Sequence, residues 1–171
     1  MKIGIYGGSF NPIHFGHIGL AQWVVEHTDI DQVWLMVSPN NPLKDSHILA
    51  DEELRLQQVT EAIASLDECA NRIVVSDFEF HLSRPNYTAN TLRALTNKYP
   101  EHEFTLIIGE DNLSIFHQWR ESEYILQHFR MMVYPRHGCA PYQLPNAKDL
   151  QILYGAPYFD ISSTEIRKGL C

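Results

Sequence analysis

The chain has 171 residues, 44% of them hydrophobic, and a formal net charge of −8. This length suits one domain with a full core. No apolar run approaches the ~18 residues of a membrane helix, and the start reads as a strand with a single Lys2 rather than a secretory signal, so export is not expected. A charge of −8 without a basic run argues against a nucleic-acid partner, which needs a positive face. Cys69, Cys139 and Cys171 are too scattered for a disulfide framework or a cysteine zinc site, so reduced thiols in a cytoplasm are expected.

In chain order, Ile3-Gly4-Ile5-Tyr6 reads as a short apolar strand, followed by Gly7-Gly8-Ser9-Phe10-Asn11-Pro12-Ile13-His14-Phe15-Gly16-His17 and a helix from about Gly16. Residues 32–37 read as a strand buried on both faces, stopped by Ser38-Pro39-Asn40-Asn41-Pro42. Residues 51–66 read as a helix capped by Asp51, with Leu56, Val59, Ile63 and Leu66 on one face. Strands follow at 72–76, 104–108, 131–134 and 150–153, and helices at 88–98, 121–127 and 163–170, with a polar, proline-containing loop over 136–149. This alternation predicts a single-domain α/β fold over residues 1–171, a Rossmann-like doubly wound parallel sheet with helices on both faces. Ligands of such sheets bind beyond the carboxyl ends of the strands. The first glycine segment, the loop from Ser38 to Lys44 and Gly109-Glu110-Asp111 are therefore expected to converge on one cleft.

The segment from Gly7 to His17 is the most informative. Its glycines let the backbone turn tightly and approach a ligand. Its two histidines, three apart, fall where a helix start offers free N–H groups and a positive dipole end. The pattern reads as a triphosphate site, although a histidine pair taken alone is as easily a surface feature or a metal fragment. It is neither a Gly-x-Gly-x-x-Gly fingerprint nor a P-loop. Near the other end, Ile161-Ser162-Ser163-Thr164-Glu165-Ile166-Arg167 offers a capping serine, free N–H groups and a guanidinium fork suited to phosphate oxygens.

These two segments together resemble the paired HxGH and ISSTxxR signatures of a nucleotidyltransferase superfamily. Two further stretches resemble its bacterial nicotinate-nucleotide adenylyltransferase branch. Arg84-Pro85-Asn86-Tyr87-Thr88-Ala89-Asn90-Thr91-Leu92 is similar to that family's Pro-Ser-Tyr-Thr-x-x-Thr-Leu segment. Ile107-Ile108-Gly109-Glu110-Asp111-Asn112-Leu113-Ser114-Ile115-Phe116-His117-Gln118-Trp119 is similar to its Ile-Gly-x-Asp-x-Leu-x-x-Phe-x-x-Trp segment.

The resemblance implies adenylyl transfer from ATP to nicotinate mononucleotide in NAD biosynthesis. The nucleophile is already an anion, so the site needs charge neutralisation and alignment rather than a general base. It implies His17 as the transition-state donor, with His14 and Arg167 beside the phosphates. Gly8, Ser9, Phe10, Lys44, Gly109, Ser162, Ser163 and Thr164 are the further expected ATP contacts, and Arg136 is a weaker phosphate candidate. Trp119, Tyr87, Thr88 and Asp111 are the expected contacts of the pyridine nucleotide. Outside that resemblance, Trp119 reads equally as a core or lid aromatic, and Thr88 and Asp111 as helix caps. Magnesium is expected to arrive with ATP, held largely by phosphate and water.

Phosphopantetheine adenylyltransferase and a non-catalytic nucleotide-binding regulator are the competing readings. Preference for acid or amide, the protonation of His14 and His17, and a homo-oligomeric state stay open. The resemblance also implies a segment beyond the last motif, so the domain is expected to be short at its C-terminus.

Overall fold

The computed structural model describes residues 1–10, 12–39, 52–66, 71–136, 147 and 149–156. Its strands are β1 (Lys2–Gly8), β2 (Gln32–Val37), β3 (Ile73–Ser76), β4 (Glu103–Gly109), β5 (Arg130–Tyr134) and β6 (Leu150–Ile152). Its α-helices are α1 (Phe15–His27), α2 (Glu52–Ala64), α3 (Thr88–Lys98) and α4 (Ser122–His128). Short 3₁₀ turns cover Phe78–His81, Glu110–Asn112 and Phe116–Gln118. The expected cap Asp51, most of the 136–149 loop and the final helix at 163–170 lie outside the described residues, as do the three cysteines.

All six strands are parallel, in the order β3-β2-β1-β4-β5-β6. Side chains alternate across a strand, and both faces here are covered, which is why the strands read as apolar runs. On one face Tyr6, Val33, Leu35, Val37, Ile107 and Met132 pack against Leu20, Ala21 and Val24 of α1 and Val59 and Ile63 of α2. On the other, Ile3, Ile5, Leu106, Ile108, Met131 and Val133 pack against Ala89, Leu92 and Leu95 of α3 and Ile125 and Leu126 of α4. The fold is thus the expected doubly wound sheet. Chain order reverses between β1 and β4, which pair from Lys2↔Glu103 to Tyr6↔Ile107. The connections after these two strands leave in opposite directions, and a crevice opens at their carboxyl ends.

One local expectation changes. Gly7 and Gly8 do not make the turn: they are the last residues of β1, in register with Met36 and Val37. A Cβ at Gly7 would meet no atom within 4 Å, so this glycine faces open space. The chain turns at Phe10, whose φ of 47° is left-handed. Such a backbone costs about 1–3 kcal/mol in a non-glycine residue. Burial of the ring, edge-on to Tyr6 at 5.7 Å and to His17 at 4.9 Å, offsets that cost.

Arg55 explains how the loops after β1 and β2 are held. It stands one turn before Val59 on the buried stripe of α2 and is 1% exposed. Its Nη1 donates to the carbonyls of Ser9 (2.9 Å) and Ser38 (2.7 Å), and its Nη2 to that of Pro39 (2.7 Å). One planar fork therefore closes backbone acceptors from two loops at once. Removing donors from buried carbonyls is costly. Arg55→Met is expected to lose about 2–4 kcal/mol of stability, a fall of roughly 5–15 °C in melting temperature. Calorimetry on the variant checks this, and an unchanged midpoint would show that the fork is dispensable.

Candidate active site

Helix α1 begins with an exchange between its two histidines. His14 is the N-cap, with extended backbone (φ −144°, ψ 175°). Its Nδ1 accepts from the Gly16 N–H at 3.0 Å, while Nδ1 of His17 accepts from the His14 N–H at 3.2 Å. This is a reciprocal capping box made by imidazoles, where serine and glutamate usually serve. The rings stack with centroids 3.8 Å apart. A ring nitrogen that accepts a hydrogen bond carries no proton, so each neutral imidazole has its N–H on Nε2. The helix start is therefore not a bare row of N–H groups as expected from sequence. Two of its donors are spent on the ring Nδ1 atoms.

Both histidines line a cleft of about 790 Å³ over the carboxyl ends of β1 and β4. The same cleft is lined by Gly8, Ser9, Phe10 and Gly109 of the expected ATP contacts, and by Tyr87, Thr88, Asp111 and Trp119 of the expected pyridine-nucleotide contacts. Arg136 also reaches it, with Nε 3.9 Å from Asp111 Oδ1. Lys44, Ser162, Ser163, Thr164 and Arg167 lie outside the described residues. Thr88 is not a cap. Tyr87 holds the N-cap position of α3, with no side-chain capping bond, and Thr88 is the first helical residue. Asp111 likewise sits inside its 3₁₀ turn, behind Gly109. Gly109 is required by close approach: a Cβ there would collide with the Asp111 carboxylate and would lie 2.9 Å from the Tyr134 hydroxyl. Trp119 packs against Phe116 at 4.9 Å and lines the cleft, so it is a packed aromatic and a cleft wall together.

Several cleft residues were not anticipated. Glu79 is 7% exposed and accepts a 2.6 Å hydrogen bond from Thr91 Oγ1 on α3. Burial pushes its carboxyl up from the ordinary 4.5 to about 7, against hydrogen bonds from Thr91 and Ser38 that favour the charged form. An acid between Phe78 and Phe80 is the one signal the sequence offered. Asn86, next to Tyr87, is 6% exposed and donates from Nδ2 to the Glu79 carbonyl at 3.1 Å. The Tyr6 and Tyr134 rings meet edge-on with centroids 5.8 Å apart, and burial holds both phenols above their usual range. Arg120 lies over the Tyr87 ring at 5.0 Å.

With this geometry in place, comparison with known proteins is decisive. The Cytidylyltransferase-like family profile matches residues 5–169. The chain belongs to this family. Within it, the chain is 48% identical to a protein named "Probable nicotinate-nucleotide adenylyltransferase" from Bacteroides fragilis, over 99% of this chain and 82% of that one. A protein of the same name from Flavobacterium johnsoniae is 45% identical, over 99% and 86% of the two chains. The nicotinic acid mononucleotide adenylyltransferase of Plasmodium falciparum, solved with NaAD, superposes with a TM-score of 0.82. That likeness covers 98% of this chain and 82% of the parasite chain at 21% identity, so it speaks to the fold. This nucleotidyltransferase thus has the doubly wound parallel sheet that its sequence predicted, with a cleft at the carboxyl ends of its strands.

Glu79 makes the stability of the nucleotidyltransferase depend on pH. Between pH 4.5 and about 7 the folded protein keeps a proton that the unfolded chain has lost. The stabilisation is full below the unfolded value and is lost as pH rises through about 7, with a span of about 3 kcal/mol. Glu79→Gln removes this dependence. Between pH 5 and 7.5 the melting temperature of the wild type is expected to fall by roughly 5–10 °C relative to the variant. Parallel melting curves across that range would contradict the assignment.

Proposed function

We propose that this enzyme transfers the adenylyl group of ATP to nicotinate mononucleotide, giving deamido-NAD and pyrophosphate. The observation that carries the reading is convergence. The imidazole pair at the start of α1 and the aromatic, uncapped start of α3 line one cleft, although about seventy residues separate them. Relatives that share 45–48% of this sequence bear the corresponding name.

In the reaction an oxygen of the acceptor's phosphate forms a bond to the α-phosphorus of ATP. The bond from that phosphorus to the β-bridging oxygen breaks, and pyrophosphate leaves with the electron pair. No proton has to be removed from the nucleophile. The chain's task is to align two anions and to stabilise charge on the equatorial oxygens. His17 Nε2–H is the donor assigned to the α-phosphate, and His14 Nε2–H to a neighbouring phosphate oxygen. Ser9 and Phe10 offer backbone next to the same rings, and Gly8 and Gly109 leave room for the nucleotide. Lys44, Ser162, Ser163, Thr164 and Arg167 are assigned to the phosphates by their sequence motifs, and Arg136 joins them from the segment just after β5. Magnesium fits as the companion of ATP: Asp111 lines the cleft and offers a carboxylate oxygen. Phosphate and water then supply most of its ligands, and when bound it screens the charge of the triphosphate.

At the acceptor end, Trp119 and Tyr87 offer flat apolar faces to an electron-poor ring. The open N-terminus of α3 favours an anionic carboxyl group. These features support the acid over the amide, and a planar ring over the flexible arm of phosphopantetheine.

Pyrophosphate release from Mg-ATP, measured with nicotinate mononucleotide, nicotinamide mononucleotide and 4′-phosphopantetheine in parallel, tests the reading. Strong release with the nicotinate form is expected. Release with phosphopantetheine alone would move the protein to the rival enzyme, and no release with any acceptor would favour a regulator. His17→Ala is expected to lower kcat at least about a hundredfold, the usual loss for a transition-state donor; near-normal turnover would remove His17 from the mechanism.

A further inference from the structure

Among the described residues, the buried side-chain atoms without a hydrogen-bond partner are Asn86 Oδ1 and Trp119 Nε1. Both residues line the cleft. The first is an acceptor and the second a donor, so they call for different chemistry in what binds there. The amide of Asn86 has a fixed orientation, because its Nδ2 is spent on the Glu79 carbonyl at 3.1 Å. Oδ1 is left as the unpaired end of a side chain that is 94% buried on the same scale by which it is 6% exposed. Leaving a buried acceptor unpaired is unfavourable, and a bound group with a proton to share would relieve it.

The position of Asn86 narrows what that group is. It directly precedes Tyr87 and Thr88, the cap and first residue of α3, at the end of the cleft assigned to the acceptor nucleotide. A ring carboxylate is an acceptor only and cannot satisfy Oδ1. It suits the open amides of α3. The similar family segment carries serine in this place, a hydroxyl that can donate, whereas the Asn86 oxygen can only accept.

We propose that Asn86 recognises the acceptor nucleotide directly, its Oδ1 accepting a hydrogen bond from a donor on that substrate: a ribose O–H or, on an amide substrate, a carboxamide N–H. This rests on the acceptor being a pyridine mononucleotide, as proposed above. Asn86 is then a substrate-binding residue, and its identity sets how the enzyme ranks acceptors that differ in donor groups.

The test pairs changes in the protein with changes in the substrate. Steady-state kinetics are measured for wild type, Asn86→Ser and Asn86→Ala with nicotinate mononucleotide, its 2′-deoxy and 3′-deoxy forms, and nicotinamide mononucleotide, all with Mg-ATP. Substitution is expected to raise KM for the pyridine nucleotide about tenfold, as for one buried hydrogen bond, while KM for ATP changes by less than about twofold on the same scale.

If a ribose hydroxyl is the partner, one deoxy nucleotide shows the same rise with wild type, and no further rise with Asn86→Ala. If a carboxamide is the partner, substitution penalises nicotinamide mononucleotide selectively. The deoxy nucleotides and the amide probe the intact protein, so the inference stays exposed even where a variant folds poorly. Equal KM for all pyridine nucleotides in wild type and variants, or an effect confined to ATP, would overturn it. Absence of wild-type turnover with every pyridine nucleotide would instead remove the proposed function together with this inference.

Discussion

Two imidazoles hold the start of α1 by accepting backbone protons, His14 from Gly16 and His17 from His14, and the chemistry assigned to the cleft depends on that arrangement. Histidine on a helix start would ordinarily be free to rotate and to choose its tautomer. Here Nδ1 of His14 is committed to Gly16 and Nδ1 of His17 to His14. Ring stacking at 3.8 Å and the edge of Phe10 at 4.9 Å restrict what orientation remains. One local arrangement thus caps the helix and fixes both tautomers, which is what the donor role proposed for these rings requires. Donors aimed before the reaction begins need no reorganisation when charge develops on phosphate.

The sheet and its buried charged groups extend this logic outwards. Reversal of strand order between β1 and β4 opens the crevice. Arg55 ties the loops after β1 and β2 to α2, so the wall that bears Ser9 and Phe10 cannot drift from the one that bears Ser38. Glu79 does the same at the opposite wall, linking the turn after β3 to Thr91 of α3 and, through its carbonyl, to Asn86. The site is therefore framed by two buried ionisable side chains that touch backbone or hydroxyl partners. Each is expensive to bury alone and is compensated by specific hydrogen bonds. A frame of this kind suits an enzyme whose reactants are both anions and must be held in line.

Much of this frame was legible in the sequence. Strand β2 and helix α3 have the predicted bounds, because continuous apolar character and a clear amphipathic stripe each dominate over their lengths. The cleft was foreseeable too, since three loops after predicted strands had to meet at one end of a parallel sheet. What escaped prediction depends on tertiary contacts. Glycines suggested a turn at Gly7-Gly8, yet the strand continues through them and a buried phenylalanine takes the left-handed backbone. Histidine is not among the preferred N-cap residues, so His14 and His17 were read as phosphate contacts or, taken alone, as a surface pair or metal fragment, and not as a cap. Thr88 fits the capping preference but sits one residue too late. Arg55 and Glu79 look like surface charges on a polar helix and in a turn. Only the packed structure shows what they reach.

The measurement closest to the centre of this account is the tautomeric state of His14 and His17, read from ¹⁵N chemical shifts and two-bond ¹⁵N–¹H correlations of the neutral rings in the free protein. The reciprocal cap predicts an unprotonated Nδ1 and a protonated Nε2 on both. Protonated Nδ1 on either neutral ring would mean that the cap does not exist in solution, and that the donors assigned to the phosphates are not preorganised by it.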